Sequence, residues 1–321
     1  MWIWEVDQTF SGNIQTIISQ GKQLGLDGFI VKAHDGSTVW SQFGQVIAPL
    51  KAAGFTVAAW GYVYANDVSG ESAAAQTVID LGADWYILDA EQSFDNQSTA
   101  ATDLCTAIRS RNPKLIMGYA PFAFPNDHPN FPYAEFSRSC NVCLPQIYWS
   151  DFGITPSAAV SQSFTELHSF GLPLAPIGQT YGSVTGTEIH EFAQSVSSLG
   201  GVGISFWDFQ SANSKQLQAI GQIQGFSSGN SSKSQVPAAS KSGADATSTR
   251  AGGEYFVKGM PQDVQLNDWF YGAVSDLLTR GIVTAYQDGL FKPDEAITRA
   301  QAADWLNRLR IYLQQQGGKI G

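Results

Sequence analysis

Residues Trp85–Glu91 read WYILDAE, an apolar run that ends in two acids spaced i, i+2. Side chains alternate faces along a strand, so Asp89 and Glu91 project to the same side with Cα atoms roughly 6.5–7 Å apart. Two acids that end a buried central strand have to be solvated by a pocket or paired, because burying bare charge is costly. The pair marks a candidate acid/base site. Whether a pocket forms around it depends on the units on either side.

Those units repeat. Strand-like runs occur at 2–6, 28–34, 56–64, 85–91, 115–121, 142–149, 174–181 and 202–210. Helical patterns separate them at 14–24, 41–53, 70–81, 98–111, 133–139, 157–170, 187–199 and 214–223. Several helices stop at a glycine in the position that favours a left-handed backbone: Gly25, Gly54, Gly82, Gly171 and Gly200. Alternation at this spacing implies parallel strands joined by right-handed crossovers. Eight such units closing on themselves predict an α/β fold of the (β/α)8, TIM-barrel type. The doubly wound alternative calls for a Gly-rich phosphate turn after the first strand, and Val6–Gly12 (VDQTFSG) is not one.

In such barrels the chemistry sits at the C-terminal strand ends. Read in order these are Glu5 and Asp7; Lys32, His34 and Asp35; Tyr62 and Tyr64; Asp89 and Glu91; Tyr119; Gln146, Tyr148 and Trp149; Gln179 and Tyr181; and Trp207, Asp208 and Gln210. Aromatic planes stack on sugar rings while amides and acids bond hydroxyls, so the face reads as a carbohydrate cleft. The expected catalytic residues are Glu91 and Asp89. The expected substrate contacts are Asp7, Tyr62, Tyr119, Gln146, Tyr148, Gln179, Trp207 and Asp208. Plainer roles compete at several positions: Glu5 or Asp7 bonding loop backbone, His34 as a satisfied core imidazole, tyrosines filling the mouth, and Asp208 of undecided face. The spacing offers no metal-ligand cluster and no Ser or Cys nucleophile motif, and no cofactor is expected.

Composition narrows the partners. Charged residues make up 14% of the chain and the formal net charge is -10, which argues against nucleic acid, whose phosphates need a basic surface. No apolar run approaches the roughly 20 residues that span a bilayer. Cys105, Cys140 and Cys143 cannot form a disulfide framework, and the Cys140–Cys143 spacing has no second pair to complete a zinc site. Strand-like sequence begins at Trp2 with no basic stretch or cleavage site before it, so a cleaved export signal is not expected.

The WYILDAE strand resembles glycoside hydrolase families that carry Asp-x-Glu at the end of the fourth barrel strand. Family 25, the lysozyme-like muramidases, also has a lysine-then-acid-Gly second strand, approximated by Val31–Gly36 (VKAHDG), and a segment similar to Lys51–Tyr62. That similarity covers roughly the first 120 residues and weakens at Trp4–Asp7 and in the later strands. Family 18, the chitinase-like group, has Asp-x-x-Asp-x-Asp-x-Glu; Asp84–Glu91 (DWYILDAE) matches except at Ile87, and the Ser-x-Gly-Gly of the third strand is missing. Family 25 is the preferred resemblance. Both imply Glu91 as the general acid with a raised pKa, and Asp89 as an ionised partner that orients an acetamido group or stabilises developing positive charge, with a direct nucleophile or a water-activating base as the alternatives. Both imply an N-acetylated glycan such as peptidoglycan or chitin.

Composition changes abruptly after Ile223. The expected organisation is a barrel at 1–224, a Ser/Gly/Ala-rich tether at 225–253, a module at 254–313 and a tail at 314–321. The module strongly resembles an S-layer homology (SLH) repeat: Asp263-Val264, Asn267–Tyr271 (NDWFY), Gly281–Val283, Tyr286–Asp294 (YQDGLFKPD) and Ile297–Gln301 (ITRAQ) follow in order. A helix is expected from Trp269 to Arg280 and a second one capped by Thr298 and Gln301. The resemblance implies an acidic secondary cell-wall polymer as partner and Arg299 as its ligand. These modules usually come in threes, so a lone repeat raises the expectation of a homotrimer. The whole reads as a cell-wall glycan hydrolase acting at the bacterial envelope, with an endolysin- or autolysin-like layout. Hydrolysis of a chitin-like polysaccharide and glycan binding without cleavage are the alternatives.

Overall fold

The computed structural model describes residues 1–223, 261–264, 274, 277–278, 280, 282–286, 289–293, 295 and 297–315. The chain divides into two compact units, Met1–Ser231 and Ser232–Gly321. The tether expected at 225–253 and most of the helix expected at Trp269–Arg280 lie outside the described residues.

In the first unit strand and helix alternate eight times. The strands are β1 (Trp2–Ile3), β2 (Gly28–Asp35), β3 (Thr56–Val63), β4 (Trp85–Ala90), β5 (Ile116–Ala120), β6 (Val142–Cys143), β7 (Ile177–Gln179) and β8 (Ser205–Trp207). The helices that follow them are α1 (Ile14–Gln23), α2 (Ser41–Ala52), α3 (Val68–Asp80), α4 (Ser98–Arg111), α5 (Tyr133–Ser139), α6 (Pro156–Leu167), α7 (Gly186–Ser198) and α8 (Ser214–Gly221). All five helix-ending glycines named from the sequence have positive φ. A parallel ladder runs from β1 through β6, and β7 pairs with β8. Single bridges Cys143–Leu174 and Gln146–Ile177 join the two parts, and Phe209 N–H donates to Trp2 O at 2.9 Å to close the ring. The last three strands are shorter than the sequence pattern suggests. Pro145, Pro173 and Pro176 have no N–H to give to a ladder, so pairing there breaks into isolated bridges.

Alternation sorts the strand residues into two cores. Paired levels Ala58–Trp85, Trp60–Ile87 and Tyr62–Asp89 rise through the lumen, where Trp2, Leu144, Ile177 and Trp207 complete the packing. Val57, Ala59, Tyr86 and Leu88 face the helices in the larger core. One irregularity matters for the site. The β2–β3 register shifts between Lys32 and His34, so Lys32 lies opposite Trp60 and Asp35 opposite Tyr62, both on the lumen side, while His34 lies opposite Gly61. The buried His34 ring donates from Nδ1 to Gly36 O (2.8 Å), which leaves Nε2 to accept from Tyr86 Oη (2.6 Å). Burial holds its pKa down at about 4. The core reading of His34 is the observed one.

In the second unit the Asp263 carboxylate accepts from Phe291 N–H (2.8 Å) and Lys292 N–H (2.7 Å), pinning the segment that follows Tyr286. Ile282 is buried, as are Val264, Val274 and Val283. Helix α9 (Arg299–Gln315) opens with the expected capping box: Gln301 N–H donates to Thr298 Oγ1 at 3.2 Å and the Gln301 side chain accepts from Thr298 N–H at 2.8 Å. Trp269 and Phe270, expected as core, lie outside the described residues.

Gly61 lets His34 lie flat across β3, for a Cβ there would stand 1.9 Å from His34 Nε2. Gly61→Ala is therefore expected to destabilise the barrel unit by about 3 kcal/mol, the upper range for overpacking. Urea unfolding of the variant at unchanged slope checks it.

Candidate active site

Asp89 and Glu91 leave β4 one level apart. Asp89 is the last lumen residue of the strand and is 8% exposed, with Ile87 directly below it. Glu91 is half-buried and caps the short helical turn Gln92–Phe94. A single amide joins them: Gln146 Nε2 lies 3.2 Å from Asp89 Oδ1, 3.1 Å from Glu91 Oε1 and 3.2 Å from Ala120 O. Gln146 reaches the pair because, past Pro145, its backbone re-enters the sheet between Phe122 and Ile177. The Tyr62 hydroxyl stands 3.5 Å from Glu91 Oε2 on the other side.

The charge distribution follows from depth. Burial, and then the neighbouring Glu91, push the Asp89 carboxyl well above the usual carboxylate range, and Lys32 opposes this. Depth thus works against the ionised form expected of Asp89 from the sequence. Lys32 is itself buried, with its ammonium 4.6 Å from the Trp40 ring centroid, 4.8 Å from Trp60 and 2.6 Å from Asp35 Oδ2. Burial would raise Asp35, but hydrogen bonds from Lys32 and from Tyr64 Oη (2.7 Å), with the Lys32 charge, hold it below its ordinary value. The Tyr64 phenol is pushed up to about 12, chiefly by its bond to Asp35. Burial and the negative charges of Glu91 and Asp89 raise the Tyr62 phenol, and burial with Asp89 and Tyr181 raises that of Tyr148. Both phenols are donors at neutral pH.

The residues predicted from strand ends divide. Tyr62, Gln146 and Tyr148 surround the pair, and Tyr148 meets Tyr181 edge-on at 5.8 Å. Trp207 is a lumen residue, 5.4 Å from Trp60 and 5.8 Å from Trp2 between ring centroids. Gln179 is buried and spent on the next loop, accepting from Ser150 N–H (3.1 Å) and donating to Asp151 Oδ1 (3.2 Å). Asp208 is buried, accepts from Ser211 N–H at 3.1 Å and has its pKa raised by burial; it shapes the turn after β8. Asp7 is exposed and lies against its own loop at Gly12. Tyr119 is a correction. It pairs with the outward Leu88, stacks on Phe136 and bonds Ser137 Oγ at 2.8 Å in the helical core, because Ala120 holds the lumen position on β5. The Arg299 side chain lies outside the described residues.

Sequence reasoning named Lys32 and Asp35 as strand ends but gave them no role, since without the bulge their three-residue spacing puts them on opposite faces. Among the described residues no group of three or more His, Cys, Asp or Glu is placed to hold a metal ion, and no helix is long and apolar enough to cross a membrane.

With this geometry in view, known proteins can be compared. Residues 263–303 match the S-layer homology domain. Solved structures that resemble the chain include several chitinases. The Bacillus megaterium QM B1551 spore cortex-lytic enzyme shares 9% identity at a TM-score of 0.53, over 68% of this chain and 72% of that one. A chitinase from Chromobacterium violaceum ATCC 12472 shares 11% identity at 0.51, over 65% and 95%. A glycoside hydrolase family 18 N-acetylglucosaminidase from Paenibacillus barengoltzii shares 10% identity at 0.50, over 69% and 98%. These likenesses establish the TIM-type fold, and they run to the family 18 barrel rather than to the family 25 resemblance preferred from sequence. No curated protein matches the chain.

A carboxyl whose folded pKa is raised contributes stability fully below its unfolded value and loses it as pH rises through the folded value. Asp89→Asn is therefore expected to raise the melting temperature at pH 8 relative to the parent, with the gain shrinking toward pH 4. Thermal melts across that range check it. A gain that grows toward acid pH would put the proton elsewhere.

Proposed function

We propose that the chain is a glycoside hydrolase of N-acetylated wall glycans, with peptidoglycan as its substrate and Glu91 and Asp89 as its acid pair. The observation that carries this reading is the pair's geometry: a deep, raised Asp89 and a half-buried Glu91 at the barrel mouth, tied by Gln146 Nε2 at 3.2 and 3.1 Å. Glu91 stands where a leaving oxygen arrives, and Asp89 stands below, where an acetamido group on the same sugar hangs into the lumen. An acetamido N–H on Asp89 favours its ionised form and moves the pair's proton to Glu91. Glu91 then protonates the glycosidic oxygen as the anomeric C–O bond breaks, and the acetamido carbonyl oxygen forms the new bond to that carbon. Water opens the resulting ring and returns its proton to Glu91. Tyr148, kept protonated by burial and nearby acids, serves as a donor beside the sugar.

The muramidase reading inherited from the family 25 resemblance and the glucosaminidase reading favoured by the barrel likeness differ in the bond cut. The lumen supports the second. Asp84, Asp89 and Glu91 keep the family 18 spacing, with Ile87 in place of that motif's middle Asp. The tail gives the place of work, holding the chain to an acidic wall polymer through the SLH repeat with Arg299 as its cation; a tethered barrel meets its substrate at raised local concentration. Such a layout fits an endolysin or an autolysin, and the lone repeat a homotrimer, which light scattering would read as three chain masses.

Glu91→Gln is expected to lower glycan hydrolysis by about 10²–10⁴-fold, the usual contribution of a positioned acid, while glycan binding persists. Mass spectrometry of fragments from purified peptidoglycan and chitin reads both rate and bond. Unchanged release in the variant would sink this site, and binding without release in the parent would leave a glycan-binding module. Separately, Arg299→Ala is expected to abolish co-sedimentation of the full chain with walls while soluble-substrate hydrolysis is retained.

A further inference from the structure

Lys32 is a buried charge that the proposed reaction leaves without a task. The turn Gly36-Ser37, with Gly36 at φ 52°, folds the end of β2 back on itself. The short strand Thr38–Val39 then runs antiparallel to it, pairing Val39 with His34 and Thr38 with Asp35. Trp40 follows, and its N–H donates to Ala33 O at 2.8 Å, which brings the indole alongside β2. The Lys32 ammonium lies 4.6 Å from the Trp40 ring centroid, 4.8 Å from Trp60 and 5.9 Å from Tyr62. Gln42 Nε2 donates to Lys32 O at 2.9 Å, so the backbone is held as well as the head group. Stability alone gives poor reason for a charge here. Buried ion pairs gain little over hydrocarbon of the same volume, and a packed lumen is served at least as well by the latter.

The ammonium does have a neighbour that needs it. Asp35 lies opposite Tyr62 on β3, and Tyr62 lies opposite Asp89 on β4, so the partner of the lysine and the deeper carboxyl share one level of the barrel. The groups that face Asp89 are Glu91 from its own strand, Lys32 and Asp35 from β2, Tyr62 from β3, and Tyr148 and Gln146 from beyond β6. Lys32 favours the charged carboxyl, while Glu91 and Asp35 work against it. Resting on the proposed function, we propose that Lys32 is a positioning residue for hydrolysis: a fixed lumen cation that holds the Asp89–Glu91 pair in its singly charged form, with Asp35 setting how much of that charge the pair feels. One proton shared by two acids is the form the reaction needs, since one carboxyl donates while the other receives the acetamido N–H. Without the cation, two acids over hydrocarbon favour keeping both protons; an unanswered ammonium favours losing both. Asp35, held by Tyr64 Oη at 2.7 Å, meets the ammonium at 2.6 Å and moderates it.

The test follows the aspartate carboxyl carbon signals of the isotope-labelled full chain through a pH titration by NMR, the Asp89 signal being the one that Asp89→Asn removes. Rate profiles against pH on the N-acetylglucosamine hexasaccharide run alongside. Lys32→Met is expected to move the Asp89 titration and both limbs of the rate profile to higher pH, with the rate on the acid limb lower by about tenfold at a given pH. Asp35→Asn is expected to move all of them the other way. Lys32→Arg, which keeps the charge, should stay near the parent. The double variant Lys32→Met/Asp35→Asn orphans no charge in the lumen and should still titrate above the parent, because Lys32 outweighs Asp35 at Asp89. A merely structural role has a different signature: a loosened lumen admits water, and Asp89 then titrates lower in every variant. That result, or an unmoved titration in Lys32→Met and the double variant, overturns the proposal. Opposed shifts in a protein that releases no sugar from the hexasaccharide or from peptidoglycan overturn the proposed function and leave the lumen cation standing.

Discussion

A carboxyl carried into the lumen of a strand barrel has to find its donors among the neighbouring strands, because water reaches it only from the mouth. That constraint organises the upper half of this barrel. Asp89 stands on a floor of hydrocarbon, and the groups around it come from three strands: Lys32 and Asp35 from β2, Tyr62 from β3, and Gln146 beyond β6. None of them cancels the charge outright. Lys32 is answered first by Asp35, so its help to Asp89 is at a distance, and the pair is left with an amide wedged across it. Carboxyls held this way, buried and beside a second acid, are the kind whose protonation the surroundings perturb.

Much of this was legible in the amino-acid sequence. Eight apolar runs alternating with eight helical patterns give the barrel, and the glycines with positive φ sit at the helix ends that the pattern assigns them. Asp89, Tyr62 and Trp207 share the lumen because strict alternation holds on β3, β4 and β8, and Gln146 joins the acids where the chain re-enters the sheet past Pro145. Tyr119 failed by the same rule: the end of β5 was judged by residue type, whereas pairing to Leu88 assigns that position to the helices. Lys32 and Asp35 were opaque for a different reason. A bulge leaves no compositional mark, and without it the two residues belong on opposite faces.

Proton placement was the other gap. Two adjacent acids announce coupling, but which one is raised depends on what lies beneath each, and the sequence alone does not rank depth. Asp89 proves to be the deeper of the two, with its carboxyl raised by burial. In the tail the reverse holds: the Thr298 and Gln301 contacts are local, so an ordered motif was enough to foresee the capping box.

The bulge in β2 has a consequence for how such a barrel diversifies. Below it, Ile30 and Lys32 keep step with β3 and hold the floor; above it, the strand resumes with its faces exchanged. A single added residue has therefore uncoupled the rim from the foundation. Rim chemistry can be rewritten by gaining or losing that residue, with the packed interior left as it was.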